Sequence, residues 1–272
     1  MKDLVENRRR IGFSEKLRLA ARAFSENGPV YTFLLATYYG SSAIAEKAFS
    51  RMARTRTKRG LPGINSVDFN KAIWESWDWK AAGEEWTVSE EWKQSLVDRV
   101  LDRYMPKSGA ILEIGPGGGR WTEHLVNRCN SYVGIDLSAS AIKCCEDRFA
   151  DVPYARFLVG SGSDLRDVAD ASIDGIWSFD VFVHINKADV ARYVKEFSRV
   201  MRKGATGVIH HGRVGGRLGG WRSDLTQDTM MDLLESASLE RIDSFDEWSD
   251  GAKIHKVTGY ADGITVFSKA TE

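Results

Sequence analysis

Apolar and polar positions divide the chain into a helical part and a part in which strands and helices alternate. From residue 109 onward, short apolar runs such as AILEIG (110–115) and SYVGIDL (131–137) are each followed by a segment with helical spacing. Strands that alternate with helices predict a parallel sheet with helices on both faces. The last two strands, predicted at 239–248 and 264–270, follow one another without a helix, so we expect an antiparallel hairpin there. The pattern predicts an α/β fold with a seven-stranded, mostly parallel sheet and an antiparallel edge strand.

The residues before this region predict a helical N-terminal extension. Leu17, Ala20, Ala21 and Phe24 recur on one helical face within residues 14–52. The basic stretch RMARTRTKRGLPG, residues 51–63, ends in Pro-Gly and is typical of an exposed linker. A solvated connector is the simpler interpretation of this stretch, and contact with an anionic membrane surface is the alternative.

A tryptophan-rich stretch, WESWDWKAAGEEW, follows at residues 74–86. So many indole rings are costly to expose, and we expect them to pack on the main domain or to line a site. A helix is predicted at about 88–104, with Ser89 as its N-cap. We expect three parts: residues 1–65 as helical extension and linker, 66–108 as a tryptophan-rich cap, and 109–272 as the main domain.

Charge and cysteine content narrow the class of protein. The formal net charge is zero, but residues 1–60 hold thirteen Lys or Arg and five Asp or Glu, so the rest of the chain is acidic. An acidic main domain disfavours a nucleic-acid channel, and we expect no nucleic-acid partner. The three cysteines, Cys129, Cys144 and Cys145, have neither disulfide nor metal-ligand spacing. They are typical of reduced thiols, and the charged N-terminus is unlike a signal peptide, so we expect a cytoplasmic protein.

The stretch EIGPGGGR, residues 113–120, joins the first predicted strand to a helix. Its glycines let the backbone turn and approach a ligand closely, and the helix N-terminus that follows favours anionic or polar groups. A dinucleotide fingerprint that starts at Gly115 needs a third glycine at position 120, where this chain has Arg120. Asp136 ends the second strand at the distance from Gly115 at which a carboxylate accepts ribose hydroxyls.

These residues resemble the class I S-adenosylmethionine-dependent methyltransferases, which have a Rossmann-like fold, over roughly residues 83–270. EIGPGGG resembles the first motif of that family and GIDLS the second. The resemblance implies that the glycine loop cradles the methionine part of the cofactor, that Asp136 holds the ribose, and that the loop GSGSDL (160–165) reaches the adenine. The upstream GEEWT segment (83–87) would fold over the methionine end. The implied cofactor residues are Glu113, Gly115, Gly117, Gly119, Asp136, Leu137, Gly162, Ser163, Asp164 and Trp86.

Candidate catalytic groups lie at the ends of predicted strands four and five. Asp180 and His184 belong to SFDVFVHI, and His210 and His211 end the next strand. Histidine titrates near neutral pH and suits the removal of a proton from an acceptor hydroxyl. Side chains alternate along a strand, so one of the two adjacent histidines faces the cofactor, and we expect it to be His211. Asp180 is a candidate to orient a histidine, to bind the cofactor amine or to help hold Mg²⁺.

The glycine- and arginine-rich stretch GRVGGRLGGWRSDLT, residues 212–226, predicts a mobile loop over the site. Its indole ring can stack on a sugar face, and its guanidinium groups can bind hydroxyls or an anion. An ordinary surface loop is the alternative interpretation. The candidate substrate-binding residues are Arg213, Arg217, Trp221 and Arg222.

The methyl acceptor is inferred from the residues at the ends of predicted strands four and five. N-methyltransferases of nucleobases and aromatic amines that resemble this fold have two prolines after the residue that Asp180 matches, and this chain has Val181 and Phe182. We therefore expect an O-methyltransferase acting on a sugar or oligosaccharide hydroxyl, similar to enzymes that methylate mannosides in polymethylated polysaccharide synthesis. The alternatives are O-methylation of a small natural product or carboxylate, a dinucleotide oxidoreductase, and a non-catalytic cofactor-binding scaffold.

Overall fold

The computed structural model describes residues 12–61, 63–215, 221–257 and 260–271. The chain forms two compact units, Met1–Lys58 and Arg59–Glu272.

The described residues of the first unit form one long interrupted helix, α1, Phe13–Arg59, which ends at the first residue of the second unit. Gly28 has a positive φ of 77° and Pro29 follows it, so the regular hydrogen bonding is broken and the helix is kinked at this point. The helix predicted over 14–52 is confirmed and is longer than expected. The stretch from residue 51 to Arg59, which the sequence suggested as a linker, is helical. None of the described helices has the length and apolar character that crossing a bilayer requires.

The second unit begins with short helical elements that carry most of the tryptophan-rich stretch. Helix α2, Val67–Glu75, starts at Ser66, whose hydroxyl accepts the amide N–H of Phe69. Helix α3, Glu90–Leu96, starts at Ser89, whose hydroxyl accepts the Trp92 amide N–H at 3.1 Å, so this predicted N-cap is confirmed. One π-helical turn and a short helix, α4, complete the segment. The π-helical turn is Val97–Leu101 and α4 is Asp102–Tyr104. Three 3-10 turns precede them in the chain, at Gly63–Asn65, Trp79–Ala81 and Glu84–Trp86.

A seven-stranded sheet forms the centre of the second unit, with strand order β3-β2-β1-β4-β5-β9-β6. Strands β1 to β5 are parallel, whereas β9 runs antiparallel to both of its neighbours. The predicted fold class is confirmed, and the antiparallel strand lies one place in from the sheet edge. The strands of this sheet are β1 Ala110–Ile114, β2 Ser131–Asp136, β3 Ala155–Val159, β4 Ile173–Phe182, β5 Met201–Gly212, β6 Leu239–Phe245 and β9 Asp262–Lys269. Between β6 and β9 in the chain, β7 Glu247–Ser249 and β8 Ile254–Lys256 form a separate hairpin.

Helices cover both faces of this sheet, and each face has its own apolar core. Alternation along the strands assigns neighbouring residues to opposite cores: Ile111 and Trp177 pack in one, Leu112 and Ile176 in the other. All four side chains are fully buried, which explains why the strands of the sequence are nearly continuous apolar runs. The helices are α5 Thr122–Val126, α6 Ala139–Arg148, α7 Lys187–Val200 and α8 Gln227–Ser236.

Candidate functional site

A cavity of about 660 Å³ opens at the carboxyl ends of the parallel strands. Strand β1 has β2 on one side and β4 on the other, so chain connections leave in opposite directions and a crevice forms between them. The volume lies within the range of about 300–1,000 Å³ that small-molecule sites occupy. Most of the lining is aromatic or aliphatic, and the polar side chains are few.

The glycine loop forms the floor of the cavity and lies under the tryptophan-rich segment. Gly117 has a φ of 56°, and a Cβ atom there would lie 2.7 Å from the Trp79 ring. A Cβ atom on Gly118 would lie 2.5 Å from the backbone of Ala82. Gly115 lines the cavity as predicted, whereas Gly119 does not lie in its lining. The glycines are thus required both by the turn and by the close approach of the segment above.

Asp136 ends β2 and joins the glycine loop to helix α6. Its carboxylate accepts the amide N–H of Gly117 at 3.0 Å through Oδ2 and that of Ser138 at 2.9 Å through Oδ1. Burial raises the pKa of Asp136 to about 6, although these backbone N–H groups oppose the shift. The carboxylate lines the cavity, where it can accept further hydrogen bonds.

Glu113 lies below the loop and does not line the cavity. Its carboxylate accepts the hydroxyls of Thr122 at 2.7 Å and Tyr132 at 2.5 Å, and the residue is fully buried. Burial raises the pKa of Glu113 to about 7 despite these hydrogen bonds. The sequence placed Glu113 among the cofactor residues; in the structure it instead supports the strand and helix that hold the loop.

The loop after β3 contributes less than the sequence suggested. Gly162 and Leu137 line the cavity, whereas Ser163 and Asp164 do not. Asp164 pairs with Arg166 at 2.6 Å, and this hydrogen-bonded ion pair holds the pKa of its carboxyl below the usual range. The ion pair with Arg166 thus holds the Asp164 carboxylate away from the cavity.

Five indole rings form a tryptophan cluster over one side of the cavity. Trp74 lies at its centre, with ring centroids 5.1 Å from Trp221 and 5.9 Å from Trp86. The expectation that this dense stretch lines a site is met, because every ring of the cluster lines the cavity. The members of the tryptophan cluster are Trp74, Trp77, Trp79, Trp86 and Trp221.

His184 lines the cavity beside this cluster, with its ring 4.4 Å from that of Trp221. Its Nδ1 lies 2.8 Å from the carbonyl oxygen of Trp221. A carbonyl only accepts hydrogen bonds, so Nδ1 carries the proton and Nε2 has the lone pair. Burial lowers the pKa of His184 to about 4, and the ring is therefore neutral at physiological pH.

Two asparagines hold the backbone that carries His184. The side-chain amides of Asn65 and Asn70 each donate to the His184 carbonyl oxygen at 3.0 Å, and Asn70 Oδ1 accepts the indole N–H of Trp221 at 3.1 Å. Sequence reasoning missed both residues, which lie in and next to α2. A polar residue on an otherwise apolar helical face was the only signal that could have indicated Asn70.

Asp180 lines the cavity at the end of β4 and has an unusual backbone conformation. Its φ is 62°, a left-handed value that is rare for residues other than glycine. The carboxylate forms an ion pair with Arg120, and its other oxygen lies 3.1 Å from His210 Nδ1. Burial would raise the pKa of Asp180, but His210 and Arg120 together hold it well below its usual range. Asp180 is thus an ionised carboxylate facing the cavity, and Arg120 is a cavity-lining residue that the sequence reasoning did not assign.

The structure corrects the choice between the two adjacent histidines. His211 lies outside the cavity lining; its Nε2 is 2.8 Å from the hydroxyl of Thr265 and its Nδ1 is 2.8 Å from the carbonyl oxygen of Gly212. His210 also lies outside the lining, but it contacts two residues of the lining: its Nδ1 is 3.1 Å from the Asp180 carboxylate and its ring packs 4.4 Å from Phe179. The expected catalytic position of His211 is therefore wrong in geometry, because the histidine next to the site is the earlier one.

Of the three candidate residues of the predicted substrate loop that the structure describes, two reach the cavity. Trp221 and Arg222 line the cavity, and Arg222 forms an ion pair with Asp262 and lies over the ring of Tyr260. Arg213 instead bonds to Gln227 on α8 and lies outside the lining. Arg217 lies outside the described residues.

Within residues 12–61, 63–215, 221–257 and 260–271, no group of three or more His, Cys, Asp or Glu side chains is arranged to hold a metal ion.

The fold and the site together define a class. A mostly parallel seven-stranded sheet carries a glycine loop after β1 and a carboxylate after β2, both facing one cavity. This is the fold of the class I S-adenosylmethionine-dependent methyltransferases.

Comparisons with known proteins agree with this class. Residues 112–209 match the family model described as "Methyltransferase domain". A TehB-like S-adenosylmethionine-dependent methyltransferase from Corynebacterium glutamicum is 21% identical, with a TM-score of 0.53 over 73% of this chain and 98% of that one. A geranyl diphosphate C-methyltransferase from Streptomyces coelicolor, solved with Mg²⁺, geranyl diphosphate and S-adenosylhomocysteine, is 12% identical, with a TM-score of 0.54 over 75% and 97% of the two chains. These findings support a methyltransferase with S-adenosylmethionine as its cofactor.

One curated relative bears on the expected partners. Ribosomal RNA small subunit methyltransferase A from Geobacter metallireducens is 32% identical over 91 residues, which is 33% of this chain. This chain thus spans about a third, 32%, of the length of that relative. Its name concerns RNA, so the comparison does not support the expected exclusion of nucleic acid.

Proposed function

We propose that this chain transfers a methyl group from S-adenosylmethionine to a hydroxyl of a small acceptor, with a sugar as the first candidate. One observation carries the proposal: the glycine loop, Asp136 and His184 line the same cavity. The loop and the carboxylate suit a nucleoside-like cofactor, and the histidine offers a basic nitrogen in the same space.

The residues on the glycine-loop side fit this cofactor. Each carboxylate oxygen of Asp136 accepts one backbone N–H and has a further lone pair for a ribose hydroxyl. Gly162 and Leu137 leave an apolar wall for the adenine, and the indole faces of the tryptophan cluster favour a nearby positive charge. When bound, S-adenosylmethionine supplies an electrophilic methyl group on a positively charged sulfur.

His184 is proposed as the group that receives the acceptor's proton. Its Nδ1 is committed to the Trp221 carbonyl, so Nε2 is the basic nitrogen, and the low pKa of the ring keeps it unprotonated at neutral pH. A base this weak does not ionise a free hydroxyl, but it can hold the proton as the hydroxyl oxygen loses electron density during transfer. The surrounding indole rings exclude water, which protects the methyl donor from hydrolysis.

A sugar acceptor is favoured by the combination of flat aromatic walls and a buried unpaired acceptor. Trp74 and Trp221 line the cavity, and indole rings can stack on the apolar side of a sugar ring. The side-chain oxygen of Asn65 is buried, belongs to a cavity-lining residue and has no hydrogen-bond partner within the described part of the chain. A buried acceptor of this kind is costly unless a ligand hydroxyl satisfies it.

A small natural product with an aromatic hydroxyl is the second candidate. The observation that favours it is the lining itself, because aromatic and aliphatic side chains outnumber the polar groups. Such an acceptor would stack on the same rings but would offer fewer hydroxyls to Asn65.

The experiment has two stages. Calorimetric titration with S-adenosylmethionine, and separately with NAD, tests the cofactor; binding of NAD alone would refute a methyltransferase. Transfer of a radiolabelled methyl group is then measured on a panel of mannosides and other sugars, phenolic hydroxyls, carboxylates and RNA. Methylation of RNA alone would overturn the small-acceptor proposal.

The histidine is tested on the best acceptor from that panel. We expect His184→Ala to lower kcat by about 10²–10⁴-fold, the usual range for a lost general base, with little change in cofactor Kd. His124→Ala is the matched control, because His124 lies on α5 outside the cavity lining. Equal rates for the two variants would place the base elsewhere.

A further inference from the structure

Helix α1 combines a long uncharged stretch with a concentration of positive charge. From Asn27 to Ala45 the sequence has no charged residue, whereas Lys47, Arg51, Arg54 and Lys58 follow within the same helix. The uncharged and basic segments therefore adjoin along the part of α1 that follows the kink at Gly28 and Pro29. This arrangement is independent of the methyl-transfer site.

The basic residues share one face of the helix. Lys47, Arg51, Arg54 and Lys58 are spaced by four, three and four residues, which brings them into one stripe at 3.6 residues per turn. All four are exposed. Within the part of the chain that the structure describes, none of these four forms an ion pair.

Exposed apolar side chains recur on the opposite face, where helical spacing also places Arg56. Tyr31, Leu34, Tyr38 and Met52 fall there at helical spacing, and the exposed fractions of the first three are 55%, 58% and 58%. Phe33 and Ile44, which helical spacing places nearer the side of the stripe, are each 71% exposed. Exposed rings and aliphatic side chains in such number mark a surface that another apolar phase covers.

We propose that α1 lies on the surface of an anionic lipid membrane, with the apolar face toward the acyl chains and the basic stripe among the headgroups. Helices that lie in a membrane interface have this composition, with Lys and Arg on the polar face and aromatic and aliphatic residues on the other. Each basic residue close to an anionic surface adds about tenfold or less to the binding constant. A nucleic acid would match the positive charge but would leave the exposed aromatic and aliphatic residues uncovered.

Vesicle co-sedimentation of the full chain tests this proposal. We expect binding to vesicles of phosphatidylcholine with phosphatidylglycerol, weaker binding to phosphatidylcholine alone, and a decrease with added salt. Reversal of the stripe (K47E, R51E, R54E and K58E together) should lower the partition coefficient at least about tenfold. The matched control reverses four exposed basic residues of the second unit, K107E, K195E, K203E and R241E, and should bind more tightly than the stripe variant.

The apolar face has its own variant and control. Leu34→Asp together with Tyr38→Asp should lower the partition coefficient about tenfold or more, because burial of these two side chains is lost. Ile242→Asp, at an exposed position on β6, should leave it unchanged. Circular dichroism checks that the helical content of each variant is retained.

Three results would overturn the proposal. The first is equal binding to the two kinds of vesicle, and the second is unchanged binding of the stripe variant. The third is a chain that binds single-stranded RNA, or pairs with a second copy through α1, but does not sediment with either vesicle. Light scattering after size-exclusion chromatography measures the pairing.

Discussion

Loss of the Asp136 carboxylate gives the sharpest test of the cofactor site. We expect Asp136→Ala to weaken binding of S-adenosylmethionine, because the ribose hydroxyls lose an ionised acceptor. Hydrogen bonds to a charged group contribute about 1.5–3 kcal/mol each, so two of them correspond to about 3–6 kcal/mol. At about 1.4 kcal/mol per factor of ten, the dissociation constant should rise about 10²–10⁴-fold.

The pH dependence of cofactor binding tests the same carboxylate without changing the shape of the site. Burial raises the pKa of Asp136 to about 6, and the ionised form is the one that accepts the hydroxyls. At pH 5 only about a tenth of the carboxylate is ionised, so affinity should fall about tenfold between pH 8 and pH 5. Asp136→Asn, which cannot titrate, should bind weakly and show no such change.

Isothermal titration calorimetry with S-adenosylhomocysteine, which lacks the reactive methyl group, measures both effects. Asp147→Asn is the control, because Asp147 lies exposed on the same helix α6 and pairs with Lys143. The variant Glu113→Gln distinguishes the titration of Asp136 from that of Glu113. Its affinity for S-adenosylhomocysteine should still fall at low pH, because Asp136 is still present and becomes protonated. Wild-type affinity that stays constant from pH 5 to pH 8, or an Asp136→Ala variant that binds as tightly as the control, would refute a role of this carboxylate in holding the ribose.

Two further variants test the packing beneath the site. Gly117→Ala should lower the melting temperature and loosen the cap, because a side chain in the left-handed backbone costs about 1–2 kcal/mol and the new Cβ would lie 2.7 Å from the Trp79 ring. The control is Gly40→Ala, because a Cβ atom at that position would meet no neighbouring atom within 4 Å. Equal melting temperatures for the two variants would contradict the tight contact at Gly117. Burial raises the pKa of Glu113 to about 7, above its value of 4.5 in the unfolded chain. The contribution of Glu113 to the free energy of unfolding is therefore fully present below pH 4.5 and is lost as the pH rises through 7. Denaturant unfolding of Glu113→Gln should therefore lose less stability than the wild type between pH 5 and pH 8, and parallel losses would show that Glu113 does not titrate in this range.

The fold could be predicted from the sequence because its determinants are local. Nearly continuous apolar runs define the buried strands, and helical spacing between them defines the crossovers, so a parallel sheet follows without knowledge of any long-range contact. Ser89 caps a helix by accepting the amide N–H of Trp92, only three residues further along the chain, so this contact is local as well. The glycine loop and Asp136 each end a predicted strand, and the carboxyl ends of parallel strands meet at one edge, which brings these residues together.

The acceptor side of the site was decided by the tertiary structure. The pairing of β4 with β5 shifts register between Ser178 and Phe182, and within this bulge Asp180 has a left-handed backbone. Alternation along β5 implies that one of the two adjacent histidines faces the site, and the later one, His211, was the expected choice; the structure instead places Asp180 beside His210. Neither the bulge nor the left-handed backbone at Asp180 has a signature in the sequence.

Contacts between distant parts of the chain likewise escaped the sequence. Asn65 lies 119 residues before His184 and donates a hydrogen bond to its carbonyl oxygen. The ring of Trp221 packs 4.4 Å from that of His184, and the Trp221 carbonyl oxygen accepts a hydrogen bond from His184 Nδ1. The tautomer and the lowered pKa of this histidine depend on these neighbours and on burial, which exist only after folding. The sequence by itself thus determined the sheet and the residues at its cofactor edge, because both follow from local periodicity. The protonation state and direction of the side chains that would act on the acceptor depend on packing between segments far apart in the chain.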